Sequence, residues 1–183
     1  MAKKIIATAS LSGCFGCHMS FLDIDAKILD LIELVEFNKS PIDDIKKFTK
    51  QCDIGLIEGG CCNDENVHNL LDFRKNCKVL VSVGECAIMG GLPALRNMVP
   101  LQECLEEAYL NGPTVRDCNE NKIIPNDPEL PKILNKVYPC HEIVKIDYFL
   151  PGCPPTAELI WNALVTLATG AELKLPYESV RFD

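Results

Sequence analysis

Four cysteines follow segments predicted as β-strands, and each lies in a loop rich in glycine or proline: Cys14, Cys17, Cys86 and Cys153. Thiolate sulfurs hold iron–sulfur clusters, and a [4Fe–4S] cluster is bound by four of them. Glycine lets backbone N–H groups approach the cluster sulfides, and proline stiffens a loop that aims a ligand. The four residues therefore predict one cluster site that carries single electrons and is assembled from distant parts of the chain.

The three cysteine motifs differ in how strongly they indicate a metal ligand. The CFGC motif at 14–17 is, taken alone, equally compatible with a cluster, a thioredoxin-like dithiol and a structural pair. A zinc-stabilised scaffold is a further alternative, although zinc sites usually bring a second local pair. The GEC motif at 84–86 fits any strand-to-loop turn. The PGCPP motif at 151–155 is the sharpest, because its prolines leave the backbone little freedom, and it favours a fixed metal ligand.

Strands and helices alternate along the predicted chain, which is typical of an α/β fold. The expected strands cover residues 4–9, 31–37, 53–57, 78–83 and 143–150. The expected helices cover residues 18–29, 43–50, 101–110 and 155–167, and a further helix starts at Asn63 or Asp64. The alternation predicts a flavodoxin-like doubly wound parallel sheet in a single domain over 1–183. An irregular excursion at about 111–139, with one short helix near Ile133, is expected to serve a partner or a site.

Composition excludes several classes of protein. The chain has 183 residues, a hydrophobic content of 48% and a net charge of −8, which suits a buried core and argues against nucleic-acid binding. No apolar run reaches the length of a membrane span and no export signal is visible, so we expect a cytoplasmic location. Eleven cysteines in an intracellular chain favour metal binding or redox chemistry over disulfides.

The run LSGCFGCHMSFLD at 11–23, together with the GEC and PGCPP motifs, is similar to the small subunit of [NiFe]-hydrogenases. The similarity extends from the first loop to the last helix, and the motifs occur in the family's order. It implies that the proximal [4Fe–4S] cluster is bound by the four cysteines named above. It also implies that the chain is an electron relay within an oxidoreductase that acts on hydrogen.

Within that family, the sequence resembles the soluble NAD-reducing type, including the ALRN run at 94–97. This resemblance implies a large subunit with the Ni–Fe centre and a diaphorase module with FMN, further clusters and NAD. The complex I iron–sulfur subunit shares the PGCPP motif and is the alternative. It normally has two adjacent cysteines in its first motif, whereas the adjacent pair of this chain, Cys61 and Cys62, follows the third strand. A thioredoxin-like oxidoreductase that uses Cys14 and Cys17 is a second alternative.

The remaining residues near the expected crevice have open roles. Most of the other cysteines are expected to be small buried hydrophobes: Cys52, Cys61, Cys62, Cys77, Cys104, Cys118 and Cys140. Cys61 and Cys62 are also candidates for contact with the cluster. Glu58 and Glu85 are interpreted as solvated carboxylates or helix caps in preference to a proton relay. His18 is interpreted either as an ordinary first-turn residue or as a contact to a cluster sulfide or to a partner subunit. We expect no FMN on this chain, because the first loop lacks a phosphate-cradling pattern.

Overall fold

The computed structural model describes residues 2–116 and 123–180, and a five-stranded parallel sheet forms its centre. The strands of the described residues are β1 (Lys4–Ser10), β2 (Val35–Phe37), β3 (Cys52–Glu58), β4 (Cys61–Asn63), β5 (Cys77–Val83), β6 (Ile133–Tyr138) and β7 (Tyr148–Leu150). The central sheet has the order β2-β1-β3-β5-β7, while β4 and β6 pair antiparallel in a second sheet. This order reverses between β1 and β3, which is where doubly wound folds open a crevice for ligands.

Helices cover both faces of the central sheet. They are α1 (Gly16–Leu22), α2 (Ile28–Leu34), α3 (Asp64–Asn76), α4 (Glu85–Met89), α5 (Leu101–Glu106) and α6 (Ala157–Ala168). Residues of α1, α2 and α6 pack with Ile6 and Val81 on one face, whereas α3 and α4 pack with Ala7 and Leu80 on the other. Neighbouring strand residues thus face opposite cores, as the pleat requires. Within the described ranges, no helix has both the length and the apolar character that crossing a lipid bilayer demands.

Side-chain caps fix where the two long helices begin. The Asn63 Oδ1 accepts a hydrogen bond from the N–H of Asn66 at 2.8 Å, and the Thr156 Oγ1 accepts one from the N–H of Leu159 at 3.2 Å. Such caps satisfy N–H groups that the first turn of a helix leaves unpaired. The predicted helix start at Asn63 is therefore confirmed.

The sheet order confirms the predicted fold class, but three local predictions in the first half of the chain are corrected, two of them in residues 18–37. The helix predicted over 18–29 is interrupted, because Asp25 takes a φ of 53° and a 3₁₀ turn joins α1 to α2. Residues 31–34, predicted as strand, belong to α2, and only the last three residues of that segment form β2. Short apolar runs fit a buried helix as well as a buried strand, so periodicity alone could not separate them.

The helix predicted over 43–50 is wrong, since this segment is a series of bends. The Asp43 Oδ1 accepts a hydrogen bond from the N–H of Ile45 at 2.8 Å, and the Ser40 Oγ accepts one from the N–H of Ile42 at 3.2 Å. Side chains of this type offer the backbone an alternative to helical hydrogen bonds. The local polar contacts therefore outweigh the helix pattern here.

The short helix predicted near Ile133 is also wrong, because this residue begins β6. Tyr138 of β6 lies opposite Cys61 of β4, and the two strands form an antiparallel ladder that the sequence did not indicate. A three-residue strand such as β4 gives too short a pattern to be recognised. Residues 117–122 of the predicted excursion, which include Cys118, lie outside the described residues.

The strand predicted over 143–150 is shortened to β7. The backbone N–H groups of Ile143 and Val144 both donate to the Cys140 carbonyl, so the first part of this segment is a turn. Val144 and Ile146 are nevertheless buried in the core, which explains why the segment is apolar without being a strand.

An ion pair ties α3 to the strands beside it. The Arg74 Nη1 lies 2.7 Å from the Asp147 Oδ2, and its Nη2 donates to the carbonyls of Cys77 and Lys78 at 2.7 and 2.8 Å. The same carboxylate oxygen accepts a hydrogen bond from the N–H of Leu80 at 2.8 Å. Partial burial opposes ionisation of Asp147, but Arg74 and the Leu80 N–H outweigh it and hold the pKa of Asp147 below its usual range.

We predict that Asp147→Asn lowers the free energy of unfolding at pH 7 by about 1 kcal/mol, since a partly exposed ionic hydrogen bond is lost. A lowered pKa stabilises the fold above the ordinary carboxyl pKa, and this contribution disappears as the pH falls through the folded-state pKa. The difference between wild type and variant should therefore vanish in acid. Urea unfolding of the purified chain at pH 7 and at about pH 3 measures it, with Asp30→Asn on the exposed side of α2 as the control. An equal difference at both pH values would contradict the prediction.

Candidate functional site

The four cysteines predicted as cluster ligands lie at the carboxyl end of the central sheet. Cys14 and Cys17 follow β1, Cys86 lies in the first turn of α4 after β5, and Cys153 follows β7. A Cβ on Gly13, next to Cys14, would lie 4.0 Å from the Cys86 Cβ, and one on Gly84 would meet the Cys17 Sγ and, at 3.4 Å, the Gly152 carbonyl. The structure therefore brings all four residues into one neighbourhood, although long stretches of chain separate them.

Backbone contacts shape the loop after β1. Ser12 and Gly60 exchange two backbone hydrogen bonds, from the Ser12 N–H at 2.9 Å and from the Gly60 N–H at 2.8 Å. Phe15 takes a left-handed φ of 66°, and the N–H of Gly16 then donates to the Cys14 Sγ at 3.3 Å. The folded loop itself thus supplies an N–H donor to the Cys14 sulfur.

Two further backbone hydrogen bonds join the loops after β5 and β7. The N–H of Gly84 donates to the Leu150 carbonyl at 2.8 Å, and the N–H of Glu85 donates to the Gly152 carbonyl at 3.1 Å. Gly84 has a φ of 81°, and the Cys17 Sγ fills the space that a Cβ on Gly84 would occupy. Glycine is needed here for its backbone conformation and also because the sulfur approaches the backbone so closely.

Burial and like charge both disfavour ionised thiols at this site. Burial, followed by the Glu58 carboxylate and the neighbouring cysteines, raises the pKa of Cys17. Burial and the neighbouring cysteines also raise the pKa of Cys86, although the backbone N–H of Leu92 acts in the opposite direction. A metal bonded to the sulfurs removes this penalty, because metals bind thiolates and displace their protons. The electrostatics of the site therefore favour metal-bound sulfur over free thiolate.

Glu58 ends β3 and is buried below the loop after β1, with 3% of its side chain exposed. Its Oε2 accepts a hydrogen bond from the N–H of His18 at 3.0 Å, and its Oε1 accepts one from the Ser10 hydroxyl at 2.6 Å. Burial opposes ionisation, but the contacts with His18 and Ser10 outweigh it and hold the pKa of Glu58 below its usual range. Glu58 therefore caps α1 from a neighbouring strand. The interpretation as a helix cap is confirmed, and the interpretation as a solvated carboxylate is wrong.

His18 is buried in the first turn of α1. Its Nε2 lies 2.9 Å from the Thr8 Oγ1, which in turn lies 2.8 Å from the Ser40 Oγ. Its ring stacks on Phe15, with the ring centroids 4.7 Å apart. His18 is thus a packed first-turn residue held by its own chain. The polar residues at alternating positions of β1 are the sequence signal from which this network could have been found, and it was missed.

Cys61 and Cys62 do not join the four predicted ligands. Cys61 is fully buried and contacts Cys140, and the Cys62 Sγ lies 2.5 Å from the Ser12 Oγ. Three of the other cysteines in the described ranges are buried, as predicted: Cys52, Cys77 and Cys140. Cys104 is only half-buried, as is Cys62.

Among residues 2–116 and 123–180, no three His, Cys, Asp or Glu side chains converge closely enough to hold a single metal ion. A four-iron cluster requires a different arrangement, because each thiolate bonds its own iron and the sulfurs surround a body wider than one ion. The role of the four cysteines as cluster ligands stays a prediction at this point.

Comparison with known proteins shows where the chain belongs. The family model of the NADH ubiquinone oxidoreductase 20 kDa subunit matches residues 14–167, a stretch that includes all four cysteines. The delta subunit of the NAD-reducing hydrogenase HoxS of Cupriavidus necator is 46% identical over 99% of this chain and 86% of the relative. One subunit of the F420-non-reducing hydrogenase of Methanothermobacter thermautotrophicus is 40% identical over 96% of this chain, which spans 57% of that relative's length.

Solved structures agree with this assignment. The crystal structure of an NAD⁺-reducing [NiFe]-hydrogenase in the H2-reduced state contains a chain that matches with a TM-score of 0.93 and 51% identity, over the full length of both chains. The [NiFeSe]-hydrogenase of Dm. baculatum matches with a TM-score of 0.60 and 14% identity, covering 98% of this chain and 70% of that one, which supports the fold alone. The chain therefore belongs to the NADH ubiquinone oxidoreductase 20 kDa subunit family and, within it, to the small subunits of hydrogenases.

Proposed function

We propose that this chain, as one domain over residues 1–183, is the electron-transfer subunit of a NAD-linked [NiFe]-hydrogenase and binds a single [4Fe–4S] cluster. The proposed ligands are Cys14, Cys17, Cys86 and Cys153. The observation that carries the proposal is the meeting of the loops that bear these four thiols at one end of the sheet.

The residues present fit an iron–sulfur cluster in their chemistry. Thiolates are soft ligands that suit iron–sulfur clusters and zinc, and four of them match the demand of a cubane cluster. The glycine-rich loops leave the sulfurs within reach of backbone N–H groups, as the 3.3 Å contact from the Gly16 N–H to the Cys14 Sγ illustrates. Donors of this kind stabilise negative charge on thiolate-ligated iron.

When bound, the cluster accepts and returns one electron at a time, without making or breaking covalent bonds in a substrate. The chain's own groups supply the rest of the function. The backbone hydrogen bonds between the loops after β5 and β7 hold two ligands in register, and the Glu58 carboxylate fixes the helix that begins beside Cys17. A rigid surrounding of this kind keeps the geometry nearly unchanged as the charge of the site alternates.

The chain is a subunit of a hydrogenase complex that includes a large Ni–Fe subunit, and its surface beside the cysteines suits a subunit interface. Several large apolar side chains close to Cys17 and Cys86 in the sequence are at least half exposed: Met19, Met89, Leu92, Leu95 and Met98. Exposed apolar groups of this kind usually mark interaction sites, and methionine is enriched in interfaces. A partner that covers these residues also excludes water from the site.

The second proposed partner is a diaphorase module that carries FMN and further clusters and reduces NAD⁺ in the cytoplasm. The names of the C. necator relative and of the matching crystal structure, both of which refer to NAD reduction, support this direction of electron flow. Purification of the native complex tests it. The expected result is a hydrogenase large subunit and FMN-containing subunits in one assembly, with hydrogen-dependent reduction of NAD⁺. A complex that contains no flavin subunit would exclude the NAD-linked assignment.

The alternatives from other classes are less well supported. A thioredoxin-like dithiol needs Cys14 and Cys17 alone and gives no reason for Cys86 and Cys153 to lie beside them. A zinc scaffold requires ligands that converge on one ion, and the described residues offer no such set. A complex I subunit shares the family model, but the relatives described above are hydrogenase subunits.

Replacing Cys14 by alanine should remove the cluster and leave the chain folded. Cys14 is exposed, so its loss leaves no cavity in the core, whereas a cubane cluster cannot bind normally with three thiolates. We expect about four irons fewer per complex, loss of the matching visible absorption, and no hydrogen-dependent NAD⁺ reduction. Cys104→Ala is the control, because Cys104 lies on α5, and it should keep full iron and activity. Unchanged iron in the Cys14 variant would refute the ligand assignment.

Gly84→Ala should also displace the cluster, because its new methyl group would overlap the Cys17 sulfur. Gly170→Ala is a matched control: both glycines have a φ of 81°, but no heavy atom in the described chain lies within 4 Å of a Cβ on Gly170. Both variants carry the strain of a positive φ, about 1 kcal/mol. Gly84 also has a ψ of 163°, which is nearly restricted to glycine, and only Gly84→Ala adds the steric clash. Iron content and visible spectra should fall for Gly84→Ala alone. Equal losses in both variants would show that backbone strain, not the clash, is responsible.

A further inference from the structure

The loop that carries Cys153 offers few backbone groups by which it can be held in place. Three of the five residues in the PGCPP motif at 151–155 are prolines, which have no N–H to donate. Cys153 and Pro154 are exposed, whereas Gly152 before them and Pro155 after them are buried. The position of the Cys153 sulfur therefore depends on how the two buried residues are anchored, and in a proline-rich loop the carbonyl oxygens are the main groups available for that.

Both of these carbonyls accept a hydrogen bond from a segment that carries another predicted ligand. The N–H of Glu85, in the GEC motif, donates to the Gly152 carbonyl at 3.1 Å. The Ser20 hydroxyl donates to the Pro155 carbonyl at 2.6 Å, and this contact is buried. Ser20 lies three residues after Cys17 in α1, so the two side chains share one face of that helix. The last ligand loop is thus clamped between the segments of the two other cysteine motifs.

The Ser20 contact spans a gap that the central sheet leaves open. In the sheet, β1 and β7 are separated by β3 and β5, so no backbone ladder joins the first ligand loop to the last. The hydrogen bonds between loops described above connect them in two pairs, after β1 with after β3 and after β5 with after β7. Among the residues that the structure describes, the Ser20 hydroxyl makes the only hydrogen bond between residues 11–22 and the loops after β5 and β7. Apart from packing, this contact therefore sets the distance between the two halves of the site.

We propose that Ser20 is a positioning residue: through the Pro155 carbonyl it sets the spacing between Cys17 and Cys153 and so keeps the last thiolate on its iron. The inference rests on the proposed function, since it needs a cluster bound by these cysteines. Ligands hold a metal centre well only when the residues behind them fix each ligand to within about 0.5 Å of its bonding position. Without the hydroxyl, a buried carbonyl is left unpaired, and the loop must shift to regain a partner for it.

The variants that test this change one hydroxyl group at a time. Ser20→Ala removes the hydroxyl and no carbon atom, so the packing of α1 stays nearly unchanged, and Ser20→Thr retains the hydroxyl. Ser40→Ala is the matched control, because Ser40 is also a buried serine and its Oγ lies 2.8 Å from the Thr8 Oγ1. Ser40 follows β2, at the opposite edge of the sheet from β7. Both alanine variants lose a buried hydrogen bond, and only Ser20→Ala loses one that holds a ligand loop.

The measurement follows the cluster itself in the purified hydrogenase complex. Its electron paramagnetic resonance signal in the reduced state is the one absent from the Cys14→Ala complex, and the decay of this signal is recorded after an iron chelator is added. We expect the Ser20→Ala signal to have shifted g values and to decay about tenfold faster than the wild-type signal, since losing a group that orients a metal ligand weakens metal binding by that order. Ser20→Thr should recover most of the wild-type rate. Ser40→Ala should match the wild type in g values and decay, although its thermal unfolding midpoint falls as that of Ser20→Ala does.

Three results would overturn the inference. Equal acceleration in Ser20→Ala and Ser40→Ala would show that cluster loss follows the stability of the fold and not the position of the loop. Unchanged decay and g values in Ser20→Ala would show that Cys153 is held without the hydroxyl, and exclusion of Ser20→Ala from the complex would make Ser20 purely structural. A Ser20→Ala complex that assembles without this cluster supports the inference if Ser20→Thr restores the cluster, and contradicts it otherwise. A wild-type complex without a signal that depends on Cys14 would instead contradict the proposed function itself, so the two failures are distinguishable.

Discussion

Thiol groups that face one another in a half-buried pocket resist ionisation, and the rest of this structure is organised around that constraint. Burial and neighbouring acidic groups hold Cys17 and Cys86 in the thiol form, as their raised pKa values show. At neutral pH these thiols stay protonated in the metal-free chain, and a cationic metal centre bonded to the sulfurs favours the thiolate form instead.

Backbone hydrogen bonds between loops hold the cysteines of this site in place. The loop after β1 pairs with the chain after β3 through Ser12 and Gly60, and the loop after β5 pairs with that after β7 through Gly84 and Glu85. These bonds connect separate strands at their carboxyl ends, so the position of each cysteine depends on the register of the whole sheet. The site is consequently as rigid as the sheet, which suits a relay whose charge changes repeatedly.

Fold class and the candidate site could be predicted from the sequence because their signals are local and strong. The apolar strand before each cysteine motif and the glycine and proline around it identify the carboxyl ends of strands, and topology then brings those ends together. The pairing of β4 with β6 could not be predicted, since it joins a three-residue strand to one distant in sequence. The burial of Glu58 was missed for a related reason: its partner His18 lies on another element, and only the fold shows that this carboxylate is buried.

The second sheet, in which β6 pairs with β4, also bears on how this chain can associate with others. An open strand edge invites another polypeptide to extend the sheet, which leads to unwanted self-association before the correct subunit arrives. Here the Asn97 side chain binds both backbone groups of Val137, while Arg96 donates to the carbonyls of Leu134 and Asn135 and lies 3.5 Å from the Cys62 carbonyl of β4. A partner that binds on this side of β6 must therefore recognise side chains and surface shape. Such recognition is more selective than the addition of a strand through backbone hydrogen bonds.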